Sequence, residues 1–471
     1  MRRIMAVFTL LVVFVTTGLC PKWPCCAGPA WALSVDEEQE IGREFMAQIR
    51  EYFTLLEDDF ANRYLNGLGR YLVEQVETQP FPFHFYIIKD PTLNAFAAPG
   101  GQIFIFSGLV GALDQVDELA AVICHEIGHV TARHLAQRIE QNKKIGLITM
   151  AGILAGALLG GTAAEALIAG SMAAGIQAQL HYSREDERQA DQLGFKYMSD
   201  SGFDPHGMEE TLKEIAKGNW LGSDKIPAYL LTHPTGPERM ANLETLLSGY
   251  AGQTPSPEAE QFRKVYPLFR TVVMARSIDN AQAERLFRAD LDKDPSDPLP
   301  YVGLGILALR KRDYPTAIDF MEKALERGKD YRLALLTYLG QAYQMSGRDQ
   351  DAVRTLKESL SELGENSTAL YYLGLSYQNL GQYTQSADIF ERLAVSPAAK
   401  DDVYYHLGIA YGRLNRLAEA HYNFGLYFSK LNQTDKARFH FEKAKELSAD
   451  HSILAQKISL QLQELEKAEH R

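Results

Sequence analysis

The sequence predicts a mainly α-helical protein in two parts, a helical domain with a small β-sheet followed by an α-helical solenoid. Apolar residues recur at helical spacing along most of the chain. A short stretch between residues 81 and 106 changes to a period of two, and small residues recur every 34 or 35 positions beyond residue 300. The chain therefore joins a compact domain to a repeat array.

Length, composition and charge bound the class of protein. The chain has 471 residues, of which 46% are apolar and 23% charged, enough for two or three domains with cores of their own. The formal net charge of −12 has the wrong sign for binding the phosphate backbone of nucleic acid. We therefore expect no nucleic acid among its partners.

Residues 1–32 have the pattern of an export signal. The basic pair Arg2-Arg3 precedes the apolar run 4–15, and the small-residue site Ala30-Trp31-Ala32 follows. We expect cleavage of this signal peptide after Ala32 and a mature protein in the periplasm, with association with the outer membrane as a further expectation.

The cysteines leave two alternatives to a cleaved signal. Three of the four lie in the signal, so Cys124 has no internal disulfide partner. In one alternative Cys20 is lipidated, although the bulky Leu19 precedes it where lipoprotein signals favour a small residue. In the other the segment is retained as a membrane anchor.

Residues 36–106 are expected to supply two helices and a small sheet beside the central helix. Residues 36–76 keep helical spacing, whereas from Phe81 apolar and polar residues alternate until Asp90-Pro91. Residues 94–101 have the composition of a turn-rich connector, and residues 102–106 follow as a second strand. We expect an antiparallel sheet whose edge either holds an extended peptide by strand addition or is covered.

The central helix, residues 117–137, carries the sequence H-E-I-G-H from His125 to His129. At about 100° per residue the two histidines share one face, with a spacing suited to one Zn²⁺. Glu126 lies at the rim of that face, where it could take a proton from a water activated by the metal. The alternative is that these are buried histidines satisfied by protein partners.

Two neighbours of the motif need explanation. Gly128 costs roughly 1 kcal/mol in a helix interior relative to Ala, which is unexplained unless another segment approaches there. His134 lies about 140° round the helix from His129, so we place it at the surface or beside a metal ligand.

Residues 145–164 carry no charge until Glu165 and are rich in Gly and Ala. Their length matches a membrane span, but their small side chains and repeated glycines favour a buried or membrane-touching helical hairpin near the site. Peripheral contact with a membrane is therefore part of the expectation.

A third protein ligand is needed, because a catalytic H-E-x-x-H zinc site uses three and leaves the fourth position open. The segment S-R-E-D-E-R-Q-A-D, residues 183–191, offers four acids on a predicted helix. Glu187 and Asp191 share a face, so one could bind the metal while the other orients it or a histidine. Helix geometry alone does not choose between Glu187 and Glu185.

These motifs together resemble those of the M48 peptidases. The carrying residues are H-E-I-G-H, E-R-Q-A-D about sixty residues later, and N-A-F-A-A-P-G-G-Q-I before both. The resemblance covers residues 34–247 and implies a gluzincin-type zinc protease domain. It implies one Zn²⁺ per chain held by His125, His129 and Glu187, with Glu126 as general base and Asp191 as a supporting or proton-donating residue.

A second segment, His233-Pro234 to Arg239, resembles the family's H-P-x-x-x-x-R pattern. The resemblance implies that His233 and Arg239 steady the oxyanion of the substrate, or that His233 reaches the zinc in the resting enzyme. We hypothesise that His233 is a self-inhibitory fourth ligand. The alternative is an ordinary loop histidine before a proline turn.

The second half of the chain carries the 34-residue tetratricopeptide pattern. Small residues and wedge residues follow each recurring glycine at offsets of twelve and sixteen. The glycines are Gly305, Gly340, Gly374 and Gly408, the small residues Ala317, Ala352, Ser386 and Ala420, and the wedges Met321, Leu356, Phe390 and Phe424. An earlier unit fits Ala283, Phe287 and Pro295, and a later one, only half a period on, fits Gly425, Ala437, Phe441 and Ala444.

The expected organisation is therefore a signal at 1–32, a protease domain at 33–250, a linker at 251–265, the solenoid at 266–450 and a C-terminal helix at 451–471. That last helix either caps the solenoid or contacts the first domain.

A solenoid's concave face binds segments of other proteins. With the protease domain, it predicts a zinc endopeptidase of the cell envelope that recruits unfolded or misassembled proteins. The resemblance of the whole arrangement to periplasmic quality-control proteases implies clients among outer-membrane β-barrel proteins and their assembly machinery. The alternative is a zinc-stabilised chaperone or assembly scaffold with little proteolysis.

Overall fold

The computed structural model describes residues 33–141, 182–217, 227–234, 236–252, 254–363, 366–395, 400–449 and 452–469. The predicted signal at 1–32 and the predicted Gly/Ala-rich hairpin at 145–164 lie outside these residues. Across the described ranges, no helix combines the length and the apolar character needed to cross a membrane.

The first domain is built of helices around one short sheet. Its elements are α1 (Val35–Tyr52), α2 (Asp59–Val73), β1 (His84–Ile88), β2 (Ala95–Ala98), β3 (Gln102–Phe106), α3 (Ser107–Ala112), α4 (Val116–Thr131), α5 (His134–Gln141), α6 (Arg184–Ser201), α7 (Gly207–Lys217), α8 (Ala228–Thr232) and α9 (Pro237–Ser248).

The sheet is mixed rather than antiparallel. Its strand order is β1-β3-β2, in which β1 runs parallel to β3 and β2 runs antiparallel to it. The expected connector thus contains a strand, Ala95–Ala98. The sequence pattern did not predict it, because its residues are buried on both faces and show no polar alternation. Gly100 and Gly101, with φ near +76° and +77°, turn the chain from β2 into β3.

The helix that carries the H-E-x-x-H motif, α4, is buried along its length from Val116 to Val130. Helix α6 packs on it closely at two glycines. A Cβ on Gly128 would lie 2.9 Å from the Ala190 carbonyl oxygen, and one on Gly194 would lie 3.3 Å from the backbone nitrogen of His125. The mid-helix Gly128 is thereby explained: it lets the helix bearing Glu187 and Asp191 approach the two histidines.

A long helix, α10 (Pro257–Ser277), connects the first domain to the repeats. It begins inside the expected linker, 251–265, so the second half of that segment is helical. The reason is packing: Tyr266 is buried with its hydroxyl donating to the Leu113 carbonyl, and Phe269 stacks on Tyr64 at 4.4 Å between ring centroids. One hydrophobic core therefore runs from α4 through α10 into the first repeats.

The solenoid consists of antiparallel helix pairs. Its elements are α11 (Asn280–Lys293), α12 (Pro298–Arg310), α13 (Tyr314–Arg327), α14 (Arg332–Met345), α15 (Asp349–Leu363), α16 (Ser367–Asn379), α17 (Tyr383–Ala394), α18 (Asp402–Arg413), α19 (Leu417–Lys430), α20 (Thr434–Leu447) and α21 (Ile453–Glu469).

Each predicted wedge residue contacts the glycine of its own unit, as the repeat spacing requires. A Cβ at the glycine would collide with the wedge in the pairs Gly305 with Met321, Gly340 with Leu356, Gly374 with Phe390 and Gly408 with Phe424. The glycines are where the two helices of a pair cross most closely, which accounts for their period.

Helix α19 belongs to two units, because its Phe424 packs on Gly408 of α18 while its own Gly425 receives Phe441 of α20. This explains the half-period spacing of the last unit. The C-terminal helix α21 packs on α20, with Ile458 buried in a small core beside Phe441. It therefore caps the array.

Candidate metal centre

The two histidines of α4 point into the same small buried space. His125 Nε2 lies 3.0 Å from His129 Nε2, and both side chains are buried. Their separation follows from one helical turn between positions four apart.

Helix α6 brings the third donor. Glu187 Oε2 lies 3.4 Å from His125 Nε2, and Oε1 lies 3.6 Å from His129 Nε2. Its neighbour Glu185 is 70% exposed and pairs with Arg188 on the surface of the same helix. Tertiary packing thus makes the choice that helix geometry left open: Glu187, the residue implied by the family resemblance, meets the histidines.

His233 enters the same cluster from the segment after α8. Its Nδ1 lies 3.3 Å from His125 Nε2 and 3.0 Å from Glu187 Oε1, and the residue is fully buried. Its ring stacks on those of Tyr229 and Tyr182, with centroids at 4.4 Å and 5.2 Å. The two stacked rings hold the imidazole in place.

The four side chains have the donor set and spacing of a zinc site. One ligand atom from each of His125, His129, Glu187 and His233 lies within 4.8 Å of every other. A tetrahedron with zinc-ligand bonds of about 2.0–2.1 Å has edges of about 3.3–3.4 Å. Five separations between these donor atoms, which involve both oxygens of Glu187, run from 3.0 to 3.6 Å and bracket that length. Three imidazoles and a carboxylate suit Zn²⁺, so the residues fit the metal.

Glu126 is the buried carboxylate of the site. It has no accessible surface, and neither oxygen has a hydrogen-bond partner among the described residues. His233 Nε2 lies 3.5 Å from its Oε1. A carboxylate left without donors in a buried site is costly, which indicates a working role rather than a structural one.

Asp191 and Arg239 lie behind the cluster. Asp191 Oδ1 lies 2.9 Å from His125 Nδ1, and Arg239 donates to both oxygens of Asp191 at 2.8 and 2.9 Å. Arg239 Nη1 also lies 2.6 Å from Glu187 Oε2. The guanidinium is therefore occupied with two carboxylates, and this geometry favours a role in holding Glu187 and Asp191 over direct contact with a substrate oxyanion.

Burial and neighbouring charges shift the pKa values of the histidines and carboxylates in the cluster. Burial alone lowers the pKa of His125, but the carboxylates of Asp191 and Glu187 outweigh it and raise that pKa to about 9. Burial raises the pKa of Glu187, but His233, His125 and Arg239 hold it well below its usual range. Burial, with the charge of His125, keeps the pKa of His129 well below its usual range. Glu187 is therefore ionised and His129 neutral, the forms that bind metal, whereas His125 holds a proton that metal binding would have to displace.

Three residues of the site were missed or only partly placed by the sequence. His134 is buried, not at the surface, and its Nδ1 lies 2.9 Å from His129 Nδ1, so the second of the two predicted positions is correct. Tyr182 stacks on His129 at 3.7 Å, and Tyr229 stacks on His233. No local pattern marks these two tyrosines, because they lie outside the motifs in sequence.

Profiles of two known families match this chain. The profile described as "Peptidase family M48" matches residues 60–247, and two tetratricopeptide repeat profiles match residues 368–396 and 418–451.

Three curated relatives represent the matches. The β-barrel assembly-enhancing protease of Yersinia pestis is 32% identical over 257 residues, covering 54% of this chain and 52% of the relative. The protein of the same name from Escherichia coli is 34% identical over 213 residues, covering 45% and 44%. The mitochondrial metalloendopeptidase OMA1 of Schizosaccharomyces pombe is 30% identical over 189 residues, covering 40% and 53%.

The chain matches about half the length of these curated relatives. The matches carry both halves of the architecture: the site residues from His125 to Arg239 lie within the peptidase profile, and the glycine-wedge pairs of the last repeats lie within or beside the repeat profiles. The chain therefore contains a peptidase family M48 domain joined to C-terminal tetratricopeptide repeats.

Proposed function

We propose that this protein is a zinc-dependent endopeptidase whose resting site is closed by its own His233. The observation that carries the proposal is the four-donor cluster with the buried Glu126 beside it, to which no described residue donates a hydrogen bond. A zinc site that serves only structure does not need such a carboxylate. The M48 profile over the same residues supports the same activity.

His125, His129 and Glu187 would hold the metal in the working enzyme, with His233 as the fourth donor at rest. When bound there, a zinc ion supplies a Lewis acid that lowers the pKa of water and polarises a peptide carbonyl. Glu126 takes a proton from the attacking water and delivers it to the leaving amine. Asp191 orients His125 through Nδ1, and Arg239 keeps Asp191 and Glu187 ionised and aligned.

The segment that carries His233 also meets the sheet. The Tyr229 N–H donates to the Leu93 carbonyl at 3.2 Å, just before the edge strand β2. An extended substrate that adds to this edge would compete for the same backbone group. Release of His233 and binding of a peptide at the edge are therefore proposed to be linked steps.

We base the proposed location and clients of this protein on its relatives. Proteins named β-barrel assembly-enhancing protease are similar to about half of this chain, and the N-terminal sequence has the pattern of an export signal. We place this protein in the periplasm, where its repeats would recruit unfolded outer-membrane proteins or their assembly machinery for the protease to cut.

A second candidate function is a zinc-stabilised chaperone or scaffold. Its supporting observation is that four protein donors close the site, as they do in structural zinc sites. Zinc content and casein cleavage, measured on wild type, Glu126→Gln and His233→Ala, distinguish the two. One zinc per chain, with cleavage lost in the first variant and raised in the second, supports the latched protease. One zinc without cleavage in any of the three supports the scaffold.

A further inference from the structure

We propose that Gln189 is a positioning residue for the metal, acting through His134 to hold His129 in the one tautomer that can bind it. The inference rests on the proposed function in one respect, that His129 Nε2 is a metal ligand. It concerns His134, which lies outside the motifs, and Gln189, a position inside E-R-Q-A-D to which the family resemblance gives no role.

A chain of three side chains runs from the cluster to the protein surface. His129 Nδ1 lies 2.9 Å from His134 Nδ1, and His134 Nε2 lies 3.0 Å from Gln189 Oε1. His134 is 2% exposed, whereas Gln189 lies at the surface of α6. Among the described residues, His134 Nδ1 therefore faces His129 and His134 Nε2 faces Gln189.

Metal binding would set the direction of both hydrogen bonds that link His129, His134 and Gln189. A neutral imidazole has one N–H and one lone pair, so a His129 that binds metal through Nε2 must carry its proton on Nδ1. That proton is donated to His134 Nδ1, which must then be the acceptor. His134 consequently carries its proton on Nε2 and needs an acceptor there, which is the amide oxygen of Gln189.

The opposite direction is incompatible with the metal. A donor in place of the Gln189 oxygen would favour His134 with its proton on Nδ1. His134 would then donate to His129 Nδ1, and the proton of His129 would move to Nε2, the atom that faces the cluster. With its amide oxygen towards His134, Gln189 thus favours the tautomer in which His129 presents a lone pair to the cluster.

The two ligand histidines are oriented by different means. His125 Nδ1 faces the carboxylate of Asp191, which can only accept. His129 Nδ1 faces another imidazole, which can accept or donate. The first arrangement specifies the tautomer by itself, whereas the second needs the further partner that Gln189 provides.

The backbone places His134 for this contact. Arg133, between α4 and α5, has φ +54°, a left-handed conformation that turns the chain back over His129. Its guanidinium donates to the buried Glu38 at 2.8 Å and to the Leu33 carbonyl at 2.6 Å. These bonds offset the cost of the left-handed residue and hold the turn.

The test compares surface variants that leave the core intact. Gln189→Lys replaces the acceptor with a donor and should weaken zinc binding by at least about tenfold, within the range that outer partners of metal ligands contribute. Gln189→Glu keeps an acceptor and should bind zinc as the wild type does. Gln192→Lys adds the same charge at an exposed position of α6 and controls for repulsion of the cation. Affinity is measured on the full chain by competition with a chelator.

A spectroscopic measurement reads the tautomer directly. In zinc-loaded wild type with ¹⁵N-labelled histidine, His134 should show a protonated Nε2 and a bare Nδ1, with the resonance assigned by its loss in His134→Gln. A His134 protonated on Nδ1, or equal zinc affinities for Gln189→Lys and Gln192→Lys, would overturn the proposal.

The hydrogen-bonded relay from Gln189 through His134 to His129 and the proposed function can fail separately. If zinc binds and Glu126→Gln abolishes cleavage while Gln189→Lys binds zinc normally, only the relay is wrong. If Gln189→Lys weakens zinc binding but no variant cleaves casein, the relay stands and the protease does not. A wild-type chain that takes up no zinc overturns both.

Discussion

His233 Nδ1 and Glu187 Oε1 lie 3.0 Å apart, although their residues belong to different elements 46 positions apart in the chain. The same histidine nitrogen lies 3.3 Å from His125 Nε2. A residue outside the H-E-x-x-H and E-R-Q-A-D motifs therefore joins the donor cluster, where the proposed zinc enzyme would need to admit substrate or water. The first prediction follows from this contact.

Replacing His233 by alanine should raise basal cleavage of an unfolded substrate. If the latch is closed in about nine molecules of ten, its removal raises activity by about tenfold. The rate of casein cleavage by the purified full chain measures this. His206→Ala, which removes an exposed histidine of the same domain, is the control and should change nothing. Unchanged or lost activity in His233→Ala would count against the latch.

Glu126→Gln should abolish cleavage while zinc stays bound, because the amide cannot take up the proton. A general base contributes about 10²–10⁴-fold, so residual turnover should be well below a tenth of that of wild type. Zinc content and casein cleavage are measured on the same preparation. Turnover above a tenth would remove Glu126 from this role.

Gly128→Ala should both destabilise the protein and disturb the metal site. The new Cβ would lie 2.9 Å from the Ala190 carbonyl oxygen, and Ala190 shares α6 with Glu187. We expect a loss of about 1–3 kcal/mol in the free energy of unfolding, together with weaker zinc binding. Denaturant unfolding and chelator competition measure the two effects.

Gly67→Ala is the matched control for that variant. Gly67 also lies inside a helix, but a Cβ there would meet Phe262 no closer than 3.7 Å. It should be neutral or slightly stabilising, because Ala is favoured over Gly in a helix. Equal effects of the two substitutions would show that close packing of α4 and α6 is not what Gly128 provides.

Asp58→Asn should weaken the contact between the protease domain and the repeats. The buried Asp58 accepts two hydrogen bonds, from Arg276 Nε of α10 at 3.0 Å and from the Tyr338 hydroxyl of α14 at 2.9 Å. Loss of the charge leaves Arg276 buried without its counter-ion, at a cost of about 3 kcal/mol. Calorimetry should show a lower or divided transition, whereas Glu77→Gln, at an exposed pair, should leave the transition unchanged.

The last repeats should lose stability in mild acid. Burial lowers the pKa of His406, of His421 and of His440, the last also through the neighbouring His421. The unfolded chain then binds protons more readily than the folded repeats, so the free energy of unfolding falls as the pH drops from about 6.5 towards those lowered values. Urea unfolding between pH 5 and 7.5 measures the slope.

His406→Gln should make that slope shallower, since it removes one of the three histidines of the last repeats whose pKa is lowered. His84→Gln, at the exposed start of β1, is the control and should leave the slope as in the wild type. An unchanged slope in His406→Gln would contradict the assignment of the pH dependence to this histidine.

Local periodicity was enough for much of the fold. The glycine and wedge positions predicted the helix pairs of the solenoid, and the contact between Gly374 and Phe390 is one that the spacing alone implied. Periodicity was not enough for the sheet, because Ala95 to Ala98 are buried on both faces and lack the alternation that marks a half-exposed strand.

The sequence by itself determined that His125 and His129 share a face of one helix, since spacing in a helix sets direction. It also determined that acids four apart on a second helix were available. Only the tertiary structure decided that Glu187 rather than Glu185 meets the histidines, that His134 stands behind His129, and that His233 completes the cluster. The physical reason is that these contacts depend on how closely α6 and the segment after α8 pack against α4, and no local pattern in any one segment carries that distance.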